Sequence, residues 1–174
     1  DLLKKNEVSA VVSAGNTGAA VAAATLKLGP LPGVRRPGIA ISTPTLHGIS
    51  IAIDVGANLN PTAEDLFQYA QMANIYSQHI FHKKRPSIAL LNIGEEESKG
   101  TDVLREAYKL LRDSPLNFVG NIEGRDFFTG KVDCIICDGF VGNVVLKMCE
   151  SVLETAVALI SRELKKNPIS MLGA

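Results

Sequence analysis

Residues 132–143 have the sequence VDCIICDGFVGN, in which an apolar run is followed by two glycines and an asparagine. A short, mostly apolar run is typical of a parallel β-strand that is covered on both faces. The residues after it open the longest helical pattern of the chain, from about Phe140 to Lys166. A strand that passes through a glycine-bearing loop into a helix is the unit from which α/β folds are built.

Comparable units precede this stretch. Strands are predicted at Val8 to Ser13, Ile39 to Ser42, Ile49 to Val55, Ser87 to Asn92, Asn117 to Gly120 and Val132 to Cys137. Helical spacing predicts one helix that begins near Thr62 and another through residues 104–111. Because Pro44 and the turn at His47 separate two successive strands, we expect one antiparallel pair within a mostly parallel sheet. Residues 1–174 are therefore predicted to form a single α/β domain.

Composition narrows the classes of function. Hydrophobic residues make up 46% of the chain and charged residues 21%, the balance of an ordinary globular domain. The 18 basic and 18 acidic side chains cancel, so no net field attracts nucleic acid, and an anionic ligand has to be bound by local groups. No apolar run reaches the roughly eighteen residues of a membrane-spanning helix.

The chain has three cysteines, Cys134, Cys137 and Cys149. An odd number of cysteines without a signal peptide fits a reducing cytoplasm better than a disulfide framework. Cys134 and Cys137 form a Cys-x-x-Cys pair, but no second pair of cysteines or histidines completes a four-ligand zinc site. We therefore expect the pair to be small core residues.

Polar, glycine-bearing segments follow five of the predicted strands. These segments are Ser13–Ala20, Asp54–Asn58, Asn92–Thr101, Gly120–Asp126 and Asp138–Asn143. In doubly wound folds the ligand crevice lies outside the carboxyl ends of the strands. The segments together indicate a cleft for a phosphate and a polar reacting group, with Lys99 or Arg125 as the candidate cation.

The first segment favours an anion. Gly15 and Gly18 let the backbone approach a ligand, and the N–H groups at the start of the following helix form an anion site. The sequence is neither a Walker loop nor Gly-x-Gly-x-x-Gly, so it gives little support for a nucleotide. A tight turn with a helix cap remains the alternative.

Two other segments carry charge at a helix start. Lys99 stands beside Gly100, where its ammonium and the backbone amides can grip one anion, although an ordinary surface lysine is the alternative. Asp138 and Asn143 supply a carboxylate and an amide to the longest helix, where Asp138 can also serve as a simple cap. The chain shows no Ser-His-Asp or Cys-His arrangement.

Five ordered motifs resemble those of PlsX-type phosphate acyltransferases. They are SAGNTGA at 13–19, DVGAN at 54–58, NIGEEE at 92–97 with Lys99–Gly100, GNIEGRD at 120–126 and CDGFVGNVVLK at 137–147. The resemblance covers essentially the whole chain. Two further motifs of that family, an N-terminal Asp-Ala-Met-Gly-Gly-Asp and a C-terminal glycine-rich segment, are not in it. We therefore expect the chain to be the central part of a longer phosphate acyltransferase.

The resemblance implies a three-layer α/β/α sandwich with a mostly parallel sheet, similar to isocitrate and isopropylmalate dehydrogenases. It also implies a homodimer without cofactor or metal that transfers a long-chain acyl group from acyl carrier protein to inorganic phosphate. By the same resemblance, the acyl phosphate product is expected to feed phospholipid (phosphatidic acid) synthesis. The expected location is the cytoplasm, with peripheral contact to the membrane and no nucleic-acid partner.

By motif, the catalytic lysine and asparagine of the family correspond to Lys99 and Asn143. Phosphate is itself a competent nucleophile, so the reaction needs a held dianion and donors for the thioester oxyanion. Lys99 is predicted to orient phosphate and Asn143 to donate to the carbonyl oxygen, and these roles can also be exchanged. The further phosphate- or substrate-binding residues predicted are Asn16, Thr17, Gly18, Asn58, Glu95, Asp138 and Gly139.

Three alternatives stay open. A phosphotransacetylase that acts on acyl-CoA shares the chemistry. An isopropylmalate-type dehydrogenase shares the fold, although the dinucleotide fingerprint and the aspartate cluster for a divalent metal are missing. A non-catalytic module that binds acyl carrier protein is the third alternative.

The C-terminal residues predict an interfacial anchor. Pro168 breaks the last helix after a lysine pair, and Ile169, Met171 and Leu172 then supply apolar side chains. Apolar side chains next to cations suit an anionic lipid surface. Packing of the same three residues against another segment or a dimer partner is the alternative.

Overall fold

The protein is described by a computed structural model that covers residues 2–165. The chain divides into two compact units, Asp1–Gly142 and Asn143–Ala174. The helices are α1 (Thr17–Lys27), α2 (Ala63–Ile80), α3 (Asp102–Arg112) and α4 (Gly139–Leu164), and a 3₁₀ turn spans Gly124–Asp126. The strands are β1 (Ala40–Thr45), β2 (Gly48–Ile53), β3 (Ile88–Leu91), β4 (Phe118–Ile122) and β5 (Cys134–Ile136).

The strands form one five-stranded sheet in the order β1-β2-β5-β3-β4. Strand β1 is antiparallel to β2, whereas the β2–β5, β5–β3 and β3–β4 pairs are parallel. The predicted antiparallel pair within a mostly parallel sheet is confirmed. The fold class is α/β with helices flanking the sheet, consistent with a three-layer α/β/α sandwich.

The core lies where α2 and α3 pack against the sheet and against each other. Its buried members are Ile51, Ile53, Ala63, Leu66, Tyr69, Ala70, Ala73, Ile88, Leu90, Ala107, Leu111, Cys134 and Ile136. Every residue of β3 and β5 is buried, including those that alternate onto the opposite face. These are the apolar strands of the sequence, and each fully buried isoleucine or leucine contributes about 1.5–3 kcal/mol of transfer free energy.

Helix α2 begins where the sequence predicted. Thr62 caps it, because the Thr62 Oγ1 accepts the Asp65 N–H at 3.3 Å and the Asp65 carboxylate accepts the Thr62 N–H at 2.9 Å. This reciprocal pair satisfies two amides that the helix itself leaves free. The predicted helix around residues 104–111 is confirmed as α3, and the helix predicted from Phe140 is confirmed through Leu164.

One predicted strand is wrong. Residues 8–13 form no strand and are exposed, with Val12 97% exposed. The run is apolar enough for a strand, but β-propensity stabilises a strand only when neighbouring strands supply pairing and burial. None of the described strands pairs with it.

Candidate functional site

The parallel strands bring four of the polar segments to one edge of the sheet. In the spatial order of the strands these segments are residues 54–58, 138–142, 92–101 and 121–126, here called the strand-end cluster. All four belong to the first compact unit. Strand β5 lies between β2 and β3, so the order of the strands in the sheet does not follow the chain. Open α/β sheets bind ligands outside the carboxyl ends of their strands, at the point where the strand order reverses.

The segment after β2 is organised by the buried carboxylate of Asp54. Its Oδ1 accepts the N–H groups of Gly56 and Ala57 at 3.0 and 2.9 Å. Its Oδ2 accepts the backbone N–H of Asn58 at 2.7 Å and the side-chain amide of Asn58 at 3.1 Å. The same amide also donates to Pro37 O at 2.7 Å. The Asn58 amide nitrogen, predicted to bind substrate, is thus already engaged within the protein.

The start of α4 packs backbone to backbone on this segment. The Gly139 N–H donates to Asn58 O at 2.8 Å, and a Cβ on Gly139 would lie 2.6 Å from that oxygen. A Cβ on Gly142 would overlap Asp54 O. The two glycines therefore allow close approach to another protein segment. Asp138 Oδ1 accepts the Val141 N–H at 2.8 Å, which makes Asp138 a helix cap.

Asn143, the other residue predicted to be catalytic, is the fifth residue of α4. Its side chain is exposed, and it begins the second compact unit.

The segment after β3 holds Lys99 on a fixed backbone. The Lys99 N–H donates to Glu96 O at 3.1 Å, which closes a turn. The Asn92 amide donates to Lys99 O at 3.1 Å, and the Asn121 amide donates to Glu96 O at 2.9 Å. Thr101 then caps α3 by accepting the Leu104 N–H at 3.3 Å. The lysine therefore stands at a defined point, two residues before the cap.

Two of the three glutamates that precede Lys99 are paired with other partners. Glu97 binds Arg112 at 2.8 Å, and Glu95 lies 4.0 Å from Lys131. Within residues 2–165 no carboxylate forms an ion pair with Lys99, whose side chain is exposed. Arg125, the alternative cation of the sequence analysis, is 3.2 Å from Glu123. Lys99 is thus the cation of this segment that remains available to an anionic ligand.

Lys131 also contacts Asp126, which is buried at the end of the 3₁₀ turn. The two groups are 2.6 Å apart. The hydrogen bond from Lys131 holds the pKa of Asp126 below its ordinary value and raises the pKa of Lys131 above its own. Both residues lie in the connection between β4 and β5.

The predicted phosphate loop lies at the start of α1. Asn16 caps this helix, its Oδ1 accepting the Ala19 N–H at 3.2 Å. Thr17 and Gly18 form the first turn, and both are exposed. In the described part of the chain no hydrogen bond or ion pair joins this loop to the strand-end cluster. The structure therefore brings Asn58, Glu95, Lys99, Asp138 and Gly139 to one edge and leaves Asn16–Gly18 outside that set.

The cysteine thiols are poorly suited to nucleophilic attack. Burial raises the pKa of Cys134 to about 12. Burial, followed by the charge of Asp138, raises the pKa of Cys137 well above its ordinary value. Cys137 also donates to Asp54 O at 3.2 Å. The prediction that this pair occupies the core is confirmed.

In residues 2–165 no group of three or more histidine, cysteine or acidic side chains is placed to hold a metal ion.

Sequence reasoning missed the two asparagines that hold the Lys99 turn. Asn121 is buried, and its Oδ1 has no hydrogen-bond partner within the described residues. The signal available in the sequence was an asparagine at the end of each of two strands, Asn92 and Asn121.

None of the helices in the described range is long and apolar enough to span a membrane. The predicted interfacial residues Ile169, Met171 and Leu172 lie outside that range.

Known proteins that are similar to this chain include phosphate acyltransferases. The family described as "Fatty acid synthesis protein" matches residues 1–174. A phosphate acyltransferase of Heliobacterium modesticaldum is 48% identical over 99% of this chain and 52% of the relative. The phosphate acyltransferase of Campylobacter jejuni is 47% identical, over 100% of this chain and 53% of the relative. The phosphate acyltransferase of Dictyoglomus turgidum is 51% identical, over 95% of this chain and 50% of the relative. The chain spans about half the length of these curated relatives.

Proposed function

The chain belongs to the fatty acid synthesis protein family, as its motifs predicted, and from that premise we propose that it carries the phosphate-handling part of a phosphate acyltransferase. The proposed reaction moves a long-chain acyl group from acyl carrier protein to inorganic phosphate. A phosphate oxygen attacks the thioester carbonyl, a C–O bond forms, the C–S bond breaks, and the carrier thiol leaves with a proton. The product is an acyl phosphate for phosphatidic acid synthesis.

The observation that carries the proposal is the unpaired ammonium of Lys99 on a hydrogen-bonded turn at the carboxyl edge of the sheet. An enzyme that uses phosphate as its nucleophile has to place a dianion and offset its charge. A cation that no protein carboxylate neutralises supports that role. The high pKa of the Cys134 thiol favours direct attack by phosphate over an acyl-cysteine intermediate.

The remaining roles follow the family resemblance. Asn143 is proposed to donate to the carbonyl oxygen as negative charge develops there. The backbone amides of Asn16, Thr17 and Gly18 are proposed to bind phosphate at the start of α1. Glu95 and Asp138 are proposed to line the substrate site. No metal or organic cofactor is required by the chemistry, since phosphate supplies the nucleophile and the thioester supplies the activated acyl group.

Incubation of the full-length protein with acyl carrier protein thioester and inorganic phosphate tests this function. Hydroxylamine should trap acyl phosphate as the hydroxamate, in an amount that depends on phosphate. Acyl-CoA as the only donor distinguishes a phosphotransacetylase. A product that forms only from acyl-CoA, or none from either donor, would contradict the proposed function.

Assembly and location are further parts of the proposal. We expect a homodimer in the cytoplasm that touches the membrane peripherally through Ile169, Met171 and Leu172. Co-sedimentation with anionic liposomes tests the contact, and replacing these three residues with serine should weaken it while activity in solution stays the same. Equal sedimentation of variant and parent would exclude this anchor.

A further inference from the structure

Asn121, the fourth residue of β4, is buried, and only one of the two polar atoms of its side-chain amide has a hydrogen-bond partner. Its Nδ2 donates to Glu96 O at 2.9 Å, whereas its Oδ1 has no hydrogen-bond partner within the described residues. The opposite amide orientation would set two oxygen atoms against each other, so the contact with Glu96 fixes which atom is unpaired. Buried polar atoms are nearly always paired, and an unpaired one requires an explanation.

The bond to Glu96 is not needed to satisfy that carbonyl. Glu96 O also accepts the Lys99 N–H at 3.1 Å. Without Asn121 the turn would keep its internal hydrogen bond and would lose only its attachment to β4. The amide of Asn121 therefore places the turn relative to the sheet.

Asn92 makes the equivalent attachment from the neighbouring strand β3. Its Oδ1 accepts the Ile93 N–H at 2.8 Å, and its Nδ2 donates to Lys99 O at 3.1 Å. Gly100 follows with a φ of 86°, and a Cβ there would lie 2.6 Å from Asn92 Oδ1. Two adjacent parallel strands thus hold the carbonyls at both ends of the Glu96–Lys99 turn.

We propose that Asn121 is a positioning residue, which acts on the reaction by fixing where the Lys99 ammonium stands. The proposal rests on the proposed function of Lys99. A buried amide with an unpaired oxygen lowers stability, and such local costs are found where a site requires them. Leucine at position 121 has the same branching and the same number of side-chain heavy atoms as asparagine, is somewhat larger, and has no unpaired oxygen, so this substitution separates stability from placement.

The test compares Asn121→Leu with Asn117→Leu in the full-length protein. Asn117 is the matched control, since its amide also donates to one backbone carbonyl, Arg85 O at 3.2 Å, but lies just before β4 begins, at the far end of the strand. We expect Asn121→Leu to keep or raise the melting temperature. It should lower kcat by about ten- to a hundredfold, the cost of a displacement on the order of 1 Å. Asn117→Leu should leave kcat unchanged.

Two further readouts show whether the effect passes through Lys99. Hydrogen exchange of a peptide covering residues 93–101 should be faster in Asn121→Leu and unchanged in Asn117→Leu. In a Lys99→Met background, Asn121→Leu should cause little further loss of kcat, because two substitutions that act through one group are not additive.

Each outcome decides the proposal. A normal kcat in Asn121→Leu, unchanged exchange of the turn, or a full additional loss in the Lys99→Met background would overturn it. If Lys99→Met itself keeps normal activity, the proposed function of Lys99 fails. The exchange measurement would then still show whether Asn121 holds the turn.

Discussion

The segments after β2 and after β3 look alike in sequence and differ in what they leave free. Both follow a buried strand, and both contain glycine, asparagine and acidic residues. In residues 54–58 the Asp54 carboxylate and the Asn58 amide nitrogen form hydrogen bonds within the protein, and Gly142 packs against the backbone of Asp54. In residues 92–101 the backbone is held equally firmly, but Lys99 projects without an ion-pair partner. Polar groups at a strand end thus mark a site only when the fold leaves some of them unused.

The largest effect is expected where α4 meets the first of these segments. Gly142→Ala would place a Cβ against Asp54 O, so one of the two backbone segments has to shift. We expect the free energy of unfolding, measured by urea titration, to fall by about 3 kcal/mol or more. Gly124→Ala is the control, because a Cβ there meets nothing within 4 Å. Equal stability of the two variants would contradict the close packing described for this segment.

The next effect concerns the carboxylate that organises residues 54–58. Asp54→Asn would turn an amide donor towards backbone N–H groups that now donate to oxygen. The expected loss is about 2–3 kcal/mol of unfolding free energy, the range for hydrogen bonds to a buried charge. Asp113→Asn, at an exposed ion pair, should cost less than about 1 kcal/mol. An Asp54 variant as stable as the Asp113 variant would show that the loop does not depend on this carboxylate.

A smaller effect is expected from the Lys131–Asp126 pair beside the second segment. Lys131→Met should lower stability at pH 7 only slightly, since Lys131 is more than half exposed and solvent screens the pair. The folded pKa of Asp126 lies below its ordinary value of 3.8. The stabilisation that the ionised Asp126 contributes to the folded state is therefore present above pH 3.8. It is lost as the pH falls through the folded pKa. Urea titrations should therefore show the parent and the variant converging below about pH 4. A constant difference across that range would contradict the pairing.

The smallest effect is expected from the thiols. Cys134→Ser and Cys149→Ser should leave catalysis in place, because in the proposed reaction phosphate attacks the thioester directly. In Cys137→Ser the hydroxyl can replace the thiol as donor to Asp54 O. Acyl phosphate formation measures the outcome, and an acyl-cysteine detected by mass spectrometry after trapping would contradict direct attack.

The sequence predicted the strands that become buried. An apolar run such as Ile88–Leu91 indicates a strand covered on both faces, whichever elements of the fold cover it. It did not predict that residues 8–13 lack a strand, since pairing depends on partners far along the chain. Among the site residues, Lys99 stood out by its place beside Gly100. The use of Asp54, Gly139 and Gly142 for packing could not be read from sequence. A glycine that allows a ligand to approach and a glycine that allows another backbone segment to pack closely occur in the same local sequence pattern.

The most direct test of this difference between the two segments compares the kcat of the Lys99→Met enzyme with that of the Lys109→Met enzyme. Both lysines are exposed, and Lys109 lies on α3, outside the strand-end cluster. With acyl carrier protein thioester and phosphate, Lys99→Met should lose about 10²- to 10³-fold in kcat, the cost of removing one well-placed group that stabilises charge. Its melting temperature should stay unchanged, and Lys109→Met should keep the parent rate. A Lys99→Met enzyme that is as fast as Lys109→Met would contradict the account.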